Sequence, residues 1–537
     1  MNNPDSPHSR RNWPAVIAFI ALLAAGLGVR WAGIGQEGLW LDEIYAATYA
    51  NLSLLQTAVA SMRFDVHPPL YYMQLTAWSS LGHGDVWLLL NSVLWSMATL
   101  VLVFLTTLRR FGVLAGLIAL AFCAVLGSEV YFGSELRMYS LFGLLMMVSW
   151  MAADRLRADY RFKAGLPLVL VLILVGAVHS FGMIAVAAVL LYVFPAGAFR
   201  AGEDRSRVKA QLPTWIAIAC VVGITLLPWV VNATMRKVGH LEPLTLSGVA
   251  YTISGWVLGY RALSIPQWWQ TGLTLAVALC LAATIVWVPQ LRRTITCYIV
   301  VPMALAGAVS AVWKPIWLAR SFSFCAPFLA VALGALLARL LSVRPGAPLG
   351  VRSVYASLAA AALIATGWFS FHEQITPWRT QYREAAAYLR EHVQAGDIVY
   401  MPEYTTFWAM SRYLVGPEWG DPLAVQDPVN QDRSEIWPKI YQKLGPQKLE
   451  LLHLKPQTRR VDGFKVPLFI GWSPLPEAST AQSVWVVGGP ELQLAELELC
   501  RRDVPPTVQF VRVLTYRITC KPGESAVLTP RAHLTSW

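Results

Sequence analysis

Long apolar runs, broken by short basic or polar stretches, fill the first 371 residues of the chain. Eleven of them suit membrane-spanning helices, which need about 20 apolar residues. They lie near 13–32, 86–108, 111–129, 135–153, 165–181, 182–199, 212–231, 270–290, 294–312, 317–341 and 353–371. Between the first two, Ile44 to Ala60 and Pro69 to Leu81 are apolar on one side only. They predict helices lying in the membrane interface. Beyond residue 371 the chain turns polar and proline-rich, with no run long enough to span. Trp378 to Val393 has helical periodicity there, and Ile398-Val399-Tyr400, Ser483 to Val487 and Val508 to Thr519 read as strands. The pattern predicts a polytopic α-helical membrane module, residues 1–371, with a first outer loop at 33–85, followed by an α/β domain at 372–537.

Composition agrees: 56% of the 537 residues are hydrophobic and 14% charged, where a soluble domain has about 25% charged residues. The net charge of +12 does not point to nucleic acid. Its Lys and Arg sit in breaks between spans and read as topology signals. Arg10 and Arg11, Arg109 and Arg110, the clusters 155–163 and 200–209, Arg292 and Arg293, and Arg339 to Arg352 fall on one side, the cytoplasmic one by this rule. Asp42, Glu43, Asp65, Asp85, Glu129, Glu135 and Glu242 fall on the other. Ser9-Arg10-Arg11-Asn12 is read as the anchor of an uncleaved first span, in preference to a twin-arginine signal.

Five cysteines lie in apolar spans and read as small buried hydrophobes. Cys500 and Cys520 stand in the tail, in an oxidising compartment by this topology, and are expected to form a disulfide. No zinc spacing appears, and Gly488-Gly489-Pro490 is a turn rather than a dinucleotide fingerprint.

Chemistry-bearing residues gather beside the outer ends of spans. Asp42 and Glu43 follow the first span. Two readings fit Asp42: a helix N-cap, or a general base partly withdrawn from water. His67-Pro68-Pro69-Leu70-Tyr71-Tyr72 follows in the same loop. The prolines suit a helix start that aims His67 and Tyr71 into the loop, and the tyrosines also suit an aromatic belt. Glu135-Leu136-Arg137-Met138-Tyr139 opens the fourth span. Arg137 suits phosphate oxygens, or an ion pair that locks two spans. Arg320 is a second cation on that side, for phosphate or for snorkelling. His179 ends the fifth span, where a satisfied core histidine is the ordinary role.

As an ordered set these motifs resemble the glycosyltransferase 39 type of GT-C enzymes, the group of the protein O-mannosyltransferases and lipid A aminoarabinose transferases. The resemblance also uses Ser134, His179 with Phe181-Gly182, Leu227-Pro228-Trp229 and Ala319-Arg320-Ser321-Phe322, and covers residues 13–345. The tail resembles such enzymes only loosely, through Tyr382-Arg383-Glu384-Ala385-Ala386 and Gly396-Asp397-Ile398-Val399. Family members often have Arg-Tyr where this chain has Arg320-Ser321, and aminoarabinose transferases have Lys where His67 stands.

The resemblance implies a GT-C fold and inverting transfer of a sugar from a polyprenyl-phosphate donor to a hydroxyl of a glycan, lipid or protein acceptor. It implies Asp42 as base, with Glu43 beside it. Glu43 and Glu135 would position the sugar, the acceptor or a divalent ion; Asp42, Glu43 and Glu135 are the candidate ligands of Mg or Mn, although no spacing demands a metal. Arg137, Arg320 and His67 would meet the leaving phosphate, and Tyr71, Tyr72, Tyr139 and His179 would complete the substrate-binding set. The expected location is a bacterial inner membrane, with the tail outside. The second reading is a transporter or flippase of a lipid-linked sugar, which would place ionisable groups near the bilayer midplane.

Overall fold

The computed structural model describes residues 13–195, 205–235, 243–260, 265–342, 349–401 and 404–416, and in the tail 460–461, 464, 466, 468–470, 483–489, 506–510 and 512–518. Arg10, Arg11, Cys500 and Cys520 lie outside the described residues.

The helices run in chain order as α1 (Trp13–Trp31), α2 (Leu41–Tyr49), α3 (Leu54–Phe64), α4 (Leu70–Ser79), α5 (Asp85–Phe111), α6 (Val113–Val125), α7 (Gly127–Gly133), α8 (Tyr139–Ala158), α9 (Phe162–Val178), α10 (Gly182–Val193), α11 (Arg205–Met235), α12 (Leu246–Leu258), α13 (Gln267–Trp287), α14 (Pro289–Ile295), α15 (Val301–Val312), α16 (Ala326–Leu341), α17 (Leu349–Ile375), α18 (Tyr382–His392) and α19 (Tyr404–Val415). A π-helical stretch joins α14 to α15, and a 3-10 segment, Ala319–Cys325, leads into α16. The chain is a polytopic helical membrane protein. Among the described residues, seven helices are long and apolar enough to cross a membrane, or eight if α6 and α7 form one bent span. The remaining three expected spans coincide with α8, α9 and α10; the last two have only 17 and 12 residues.

The bend between α6 and α7 is 60°. It interrupts the hydrogen-bond ladder and frees carbonyls inside the bundle, where each needs a donor. Arg30, fully buried at the end of α1, donates from Nη1 to the Ala124 carbonyl at 3.0 Å and from Nε to Ser96 Oγ at 2.7 Å. Ser370 of α17 donates to the Val125 carbonyl at 2.7 Å. A Cβ at Gly127 would lie 2.2 Å from backbone atoms of Leu258 and Gly259, so glycine there lets α7 cross directly against the end of α12. The bend carries the chain to the loop 134–138 that opens the site.

The first loop differs from its expected form. Ile44 to Ala60 is not one helix but parts of two. Ser53 N-caps α3 with a reciprocal capping box through Gln56, which ends the continuity from α2. Tyr49, Tyr71, Tyr72 and Leu75 are fully buried, so α2 and α4 pack inward instead of lying flat on a surface, while α3 leaves Leu54 and Leu55 exposed. Tyr71 and Tyr72 are therefore not belt residues.

The tail holds a six-stranded sheet formed by β1 (Ile398–Met401), β2 (Arg460–Val461), β3 (Leu468–Ile470), β4 (Val484–Gly488), β5 (Val508–Phe510) and β6 (Val513–Ile518). The order is β2-β3-β1-β4-β6-β5, with β1 parallel to both β3 and β4 and the other pairs antiparallel. The expected strand Val508 to Thr519 is a hairpin, turned at Arg512 with φ of 57°. The expected helix beginning at Trp378 begins at Tyr382; the residues before it serve the site instead.

Candidate active site

Trp40 occupies the N-cap position of α2, and Glu43 closes the cap by accepting the Trp40 amide at 3.1 Å through Oε2. The N-cap reading therefore fails for Asp42, which stands inside the first turn. Two carboxylates in a first turn are favoured by the helix dipole. They face different surroundings. Glu43 is fully buried, and its Oε1 accepts the Leu136 amide at 3.0 Å and Arg379 Nη2 at 2.8 Å. The Asp42 side chain is 26% exposed, and its Oδ2 meets Arg320 Nη1 at 3.0 Å.

Arg137 is buried and donates from Nη1 to the Asp42 carbonyl at 3.2 Å. The 3-10 segment before α16 delivers Arg320 to the same spot, so residues from two distant parts of the chain converge on Asp42.

The sequence Asp65-x-His67-Pro68-Pro69 forms a compact entry to α4. The Asp65 carboxylate accepts the His67 amide at 2.9 Å and the Tyr72 hydroxyl at 2.5 Å. His67 is brought against His179, ring centroids 4.6 Å apart, and its Nδ1 lies 3.3 Å from Ser180 Oγ. Burial pushes the His67 imidazole well below its usual value, and Arg137 and Arg320 push it the same way. It is neutral at pH 7 and offers hydrogen bonds rather than positive charge. His179 accepts the Phe181 amide on Nδ1 at 2.9 Å, so a neutral ring carries its proton on Nε2.

Glu135 lies in the loop before α8. Burial, reinforced by Glu43, pushes its carboxyl up to about 8, partly offset by Arg320. It holds a proton at neutral pH. Its Oε2, Arg137 Nε, Tyr139 Oη, His179 Nε2 and Arg320 Nε are all buried without a hydrogen-bond partner. Buried polar atoms are rarely left unpaired, and such a gathering suits a polar ligand.

Asp42, Glu43 and Glu135 do not converge as a metal-ligand set. Asp42 is turned to Arg320 and Glu43 to Arg379, and among the described residues no group of three His, Cys, Asp or Glu is placed to hold an ion. This donor set does not fit a resident Mg or Mn.

Sequence reasoning missed the segment behind α17. Glu37 Oε1 accepts the amides of Trp378 and Arg379, at 2.9 and 3.0 Å. The Trp378 ring lies 5.5 Å from that of Trp40. The wall formed by α12 was missed as well: Tyr260, just past its end, donates to the Ala319 carbonyl beside Arg320 at 3.1 Å. Only the aromatic content of 232–269 hinted at it.

No protein-family model matches the chain, and a search of curated proteins finds no match. Solved structures do match. ArnT from Cupriavidus metallidurans in the apo state aligns with a TM-score of 0.53 at 11% identity, over 94% of this chain and 98% of that one. The same protein bound to undecaprenyl phosphate aligns with a TM-score of 0.53 at 11% identity, over 95% and 98%. An Archaeoglobus fulgidus oligosaccharyltransferase, in complex with Zn and sulfate, aligns at 0.46 and 11% identity over 73% of this chain; the chain spans 61% of its length. The likeness to ArnT shows the fold, which is of the GT-C type expected from the motifs.

Proposed function

We propose that this chain is a membrane glycosyltransferase that moves a sugar from a polyprenyl-phosphate donor to an acceptor hydroxyl. The observation that carries the reading is the convergence on Asp42. A part-exposed carboxylate faces one guanidinium, a second guanidinium holds its backbone, and five unpartnered buried polar atoms stand around them. The GT-C fold, shared with a protein crystallised with undecaprenyl phosphate, supports a lipid-phosphate donor.

In this reading the donor phosphate binds Arg137 and Arg320. Guanidinium pairs with phosphate through two parallel hydrogen bonds, a stronger match than the single contact Arg320 makes with Asp42. Donor binding draws Arg320 from Asp42 and releases the carboxylate to accept the acceptor's proton. The acceptor oxygen attacks the anomeric carbon as the bond to the phosphate oxygen breaks, and the two arginines stabilise the charge that develops there. Protonated Glu135, His67 and His179, all neutral, orient sugar or acceptor hydroxyls, with Tyr139 beside them. Tyr71 and Tyr72 hold the loop wall. Glu43 is a positioning group, because all its contacts are internal. Asp42 then stands on the extracytoplasmic face of a bacterial inner membrane, with the tail outside.

A transporter would place its ionisable residues near the bilayer midplane. The groups gathered here sit at one end, which favours transfer. The reading is tested by giving the purified full chain, in lipid nanodiscs, a panel of polyprenyl-phosphate sugars and following release of polyprenyl phosphate by mass spectrometry. Release that depends on acceptor supports it. Movement of intact donor between leaflets without release refutes it.

A further inference from the structure

Arg379 lies between the last helix of the bundle and the α/β unit, in a segment with no motif of its own. Its side chain is 3% exposed and pairs with a Glu43 side chain of 0%. One nitrogen, Nη2, reaches both Glu43 Oε1, at 2.8 Å, and the Ser134 carbonyl, at 3.2 Å. Glu43 simultaneously holds the Leu136 and Trp40 amides. Three chain segments, 40–43, 134–136 and 379, therefore meet at one carboxylate.

The neighbours of those atoms are the reacting groups. Asp42 precedes Glu43, and Arg137 follows Leu136. The bond from Arg137 to the Asp42 carbonyl crosses the same gap. The spacing between proposed base and proposed phosphate ligand is thus set at the joint that Arg379 closes.

Arg379 is itself held from the first loop. Glu37 takes its amide, and the guanidinium carbon lies 5.6 Å from the centre of the Trp378 ring. A Cβ at Gly33 would lie 2.6 Å from Gln374 Oε1, the atom that also accepts the Ser134 hydroxyl at 3.1 Å. Glycine there lets the end of α17 dock directly on the loop.

We propose that Arg379 is a positioning residue for the transfer reaction, acting through Glu43 to fix Asp42 relative to Arg137, so that the segment behind the last span is part of the reaction centre. The inference rests on the transferase reading. Buried ion pairs are weak evidence for stability alone, and a geometric role is their better use here. Small misplacement of reacting groups is costly to turnover.

The test uses the full chain in nanodiscs, with Arg379→Gln, Arg379→Lys, Glu43→Gln and the Arg379→Gln/Glu43→Gln pair. The single amide variants are expected to lose about 100-fold in kcat per folded molecule, with donor KM changed by less than about threefold. Arg379→Lys recovers part of kcat, since it keeps one charge-assisted bond to Glu43. The pair costs no more than the worse single variant, because both act through one joint. It also removes both buried charges, so it carries the test if Arg379→Gln alone fails to fold. Hydrogen exchange is read on the same proteins and needs no activity: amides of 40–44 and 134–137 exchange faster in Arg379→Gln. Wild-type kcat in Arg379→Gln, strictly additive losses in the pair, or unchanged exchange each overturn the proposal. A wild-type chain that transfers no sugar, with exchange raised in Arg379→Gln, defeats the transferase reading and leaves the joint standing.

Discussion

Asp42 and Arg320 are 278 residues apart in the chain, yet their side chains meet at 3.0 Å. Each is partly exposed, at 26% and 31%, so the pair stands open to solvent and to a ligand. An exposed pair of this kind adds little to stability. Its interest lies in exchange: in the proposed reading Arg320 leaves Asp42 for a donor phosphate, which it can pair with through two hydrogen bonds.

Arg320→Ala is therefore expected to weaken donor binding and leave folding intact. Charge-assisted contacts to a phosphate are worth about 1.5–3 kcal/mol each, or roughly 10–150-fold in Kd. Arg137→Ala is expected to weaken donor binding by a similar factor and also to lower the unfolding temperature, because Arg137 is buried and ties α8 to the first loop. Binding of a polyprenyl-phosphate sugar, measured beside thermal unfolding, separates the two. Unchanged donor affinity in the folded fraction of both variants would return these arginines to a structural role.

Glu135 supplies a pH signature. Its carboxyl is raised from 4.5 to about 8 by burial, so the folded state keeps a proton that the unfolded state releases near pH 4.5. The stability tied to that proton is full below pH 4.5 and is lost as pH rises through about 8. Glu135→Gln cannot ionise. It is expected to remove the fall in stability between pH 4.5 and about 8, and the fall in turnover as pH rises through about 8, while retaining much of the activity at pH 7. Unfolding temperature and kcat across that range check this. A variant with the same alkaline limb as wild type contradicts a protonated Glu135.

The α/β unit is fastened to the bundle at Asp85. Its Oδ1 accepts Arg412 Nη2 at 2.7 Å and its Oδ2 the Tyr413 hydroxyl at 2.8 Å, and that hydroxyl accepts the Leu39 amide at 2.6 Å. Asp85→Ala removes the carboxylate that faces the buried Arg412 guanidinium, a loss of about 3–5 kcal/mol. Chemical unfolding should show it, and limited proteolysis should cut the α/β unit faster. A change below about 0.5 kcal/mol would mean the contact is incidental.

Much of this molecule was legible in its sequence. Hydropathy located the helical segments, and the motifs around Asp42, His67, Arg137 and Arg320 fall in one site because each sits beside the end of a helix. What escaped was contact across distance. Arg379, Glu37 and Arg30 matter through partners up to hundreds of residues away, and no local pattern announces a buried pair. The division of Ile44 to Ala60 was legible but overlooked, since Ser53-x-x-Gln56 is a capping box. Helix α12 has 13 residues, too short for a hydropathy window to separate from a loop. The fates of Glu43 and His67 were not legible: two adjacent acids look alike in sequence, and burial alone makes one a clasp.

The most direct test of the account is sugar transfer by Asp42→Asn. The purified full chain in nanodiscs is given a polyprenyl-phosphate sugar that the wild type uses, and single-turnover release of polyprenyl phosphate is timed. Asparagine keeps the shape and can still accept a hydrogen bond from Arg320, but it cannot take a proton. Donor binding is expected to be normal and the rate lower by about 10²–10⁴-fold. Release at the wild-type rate would contradict the assignment of Asp42 as the base.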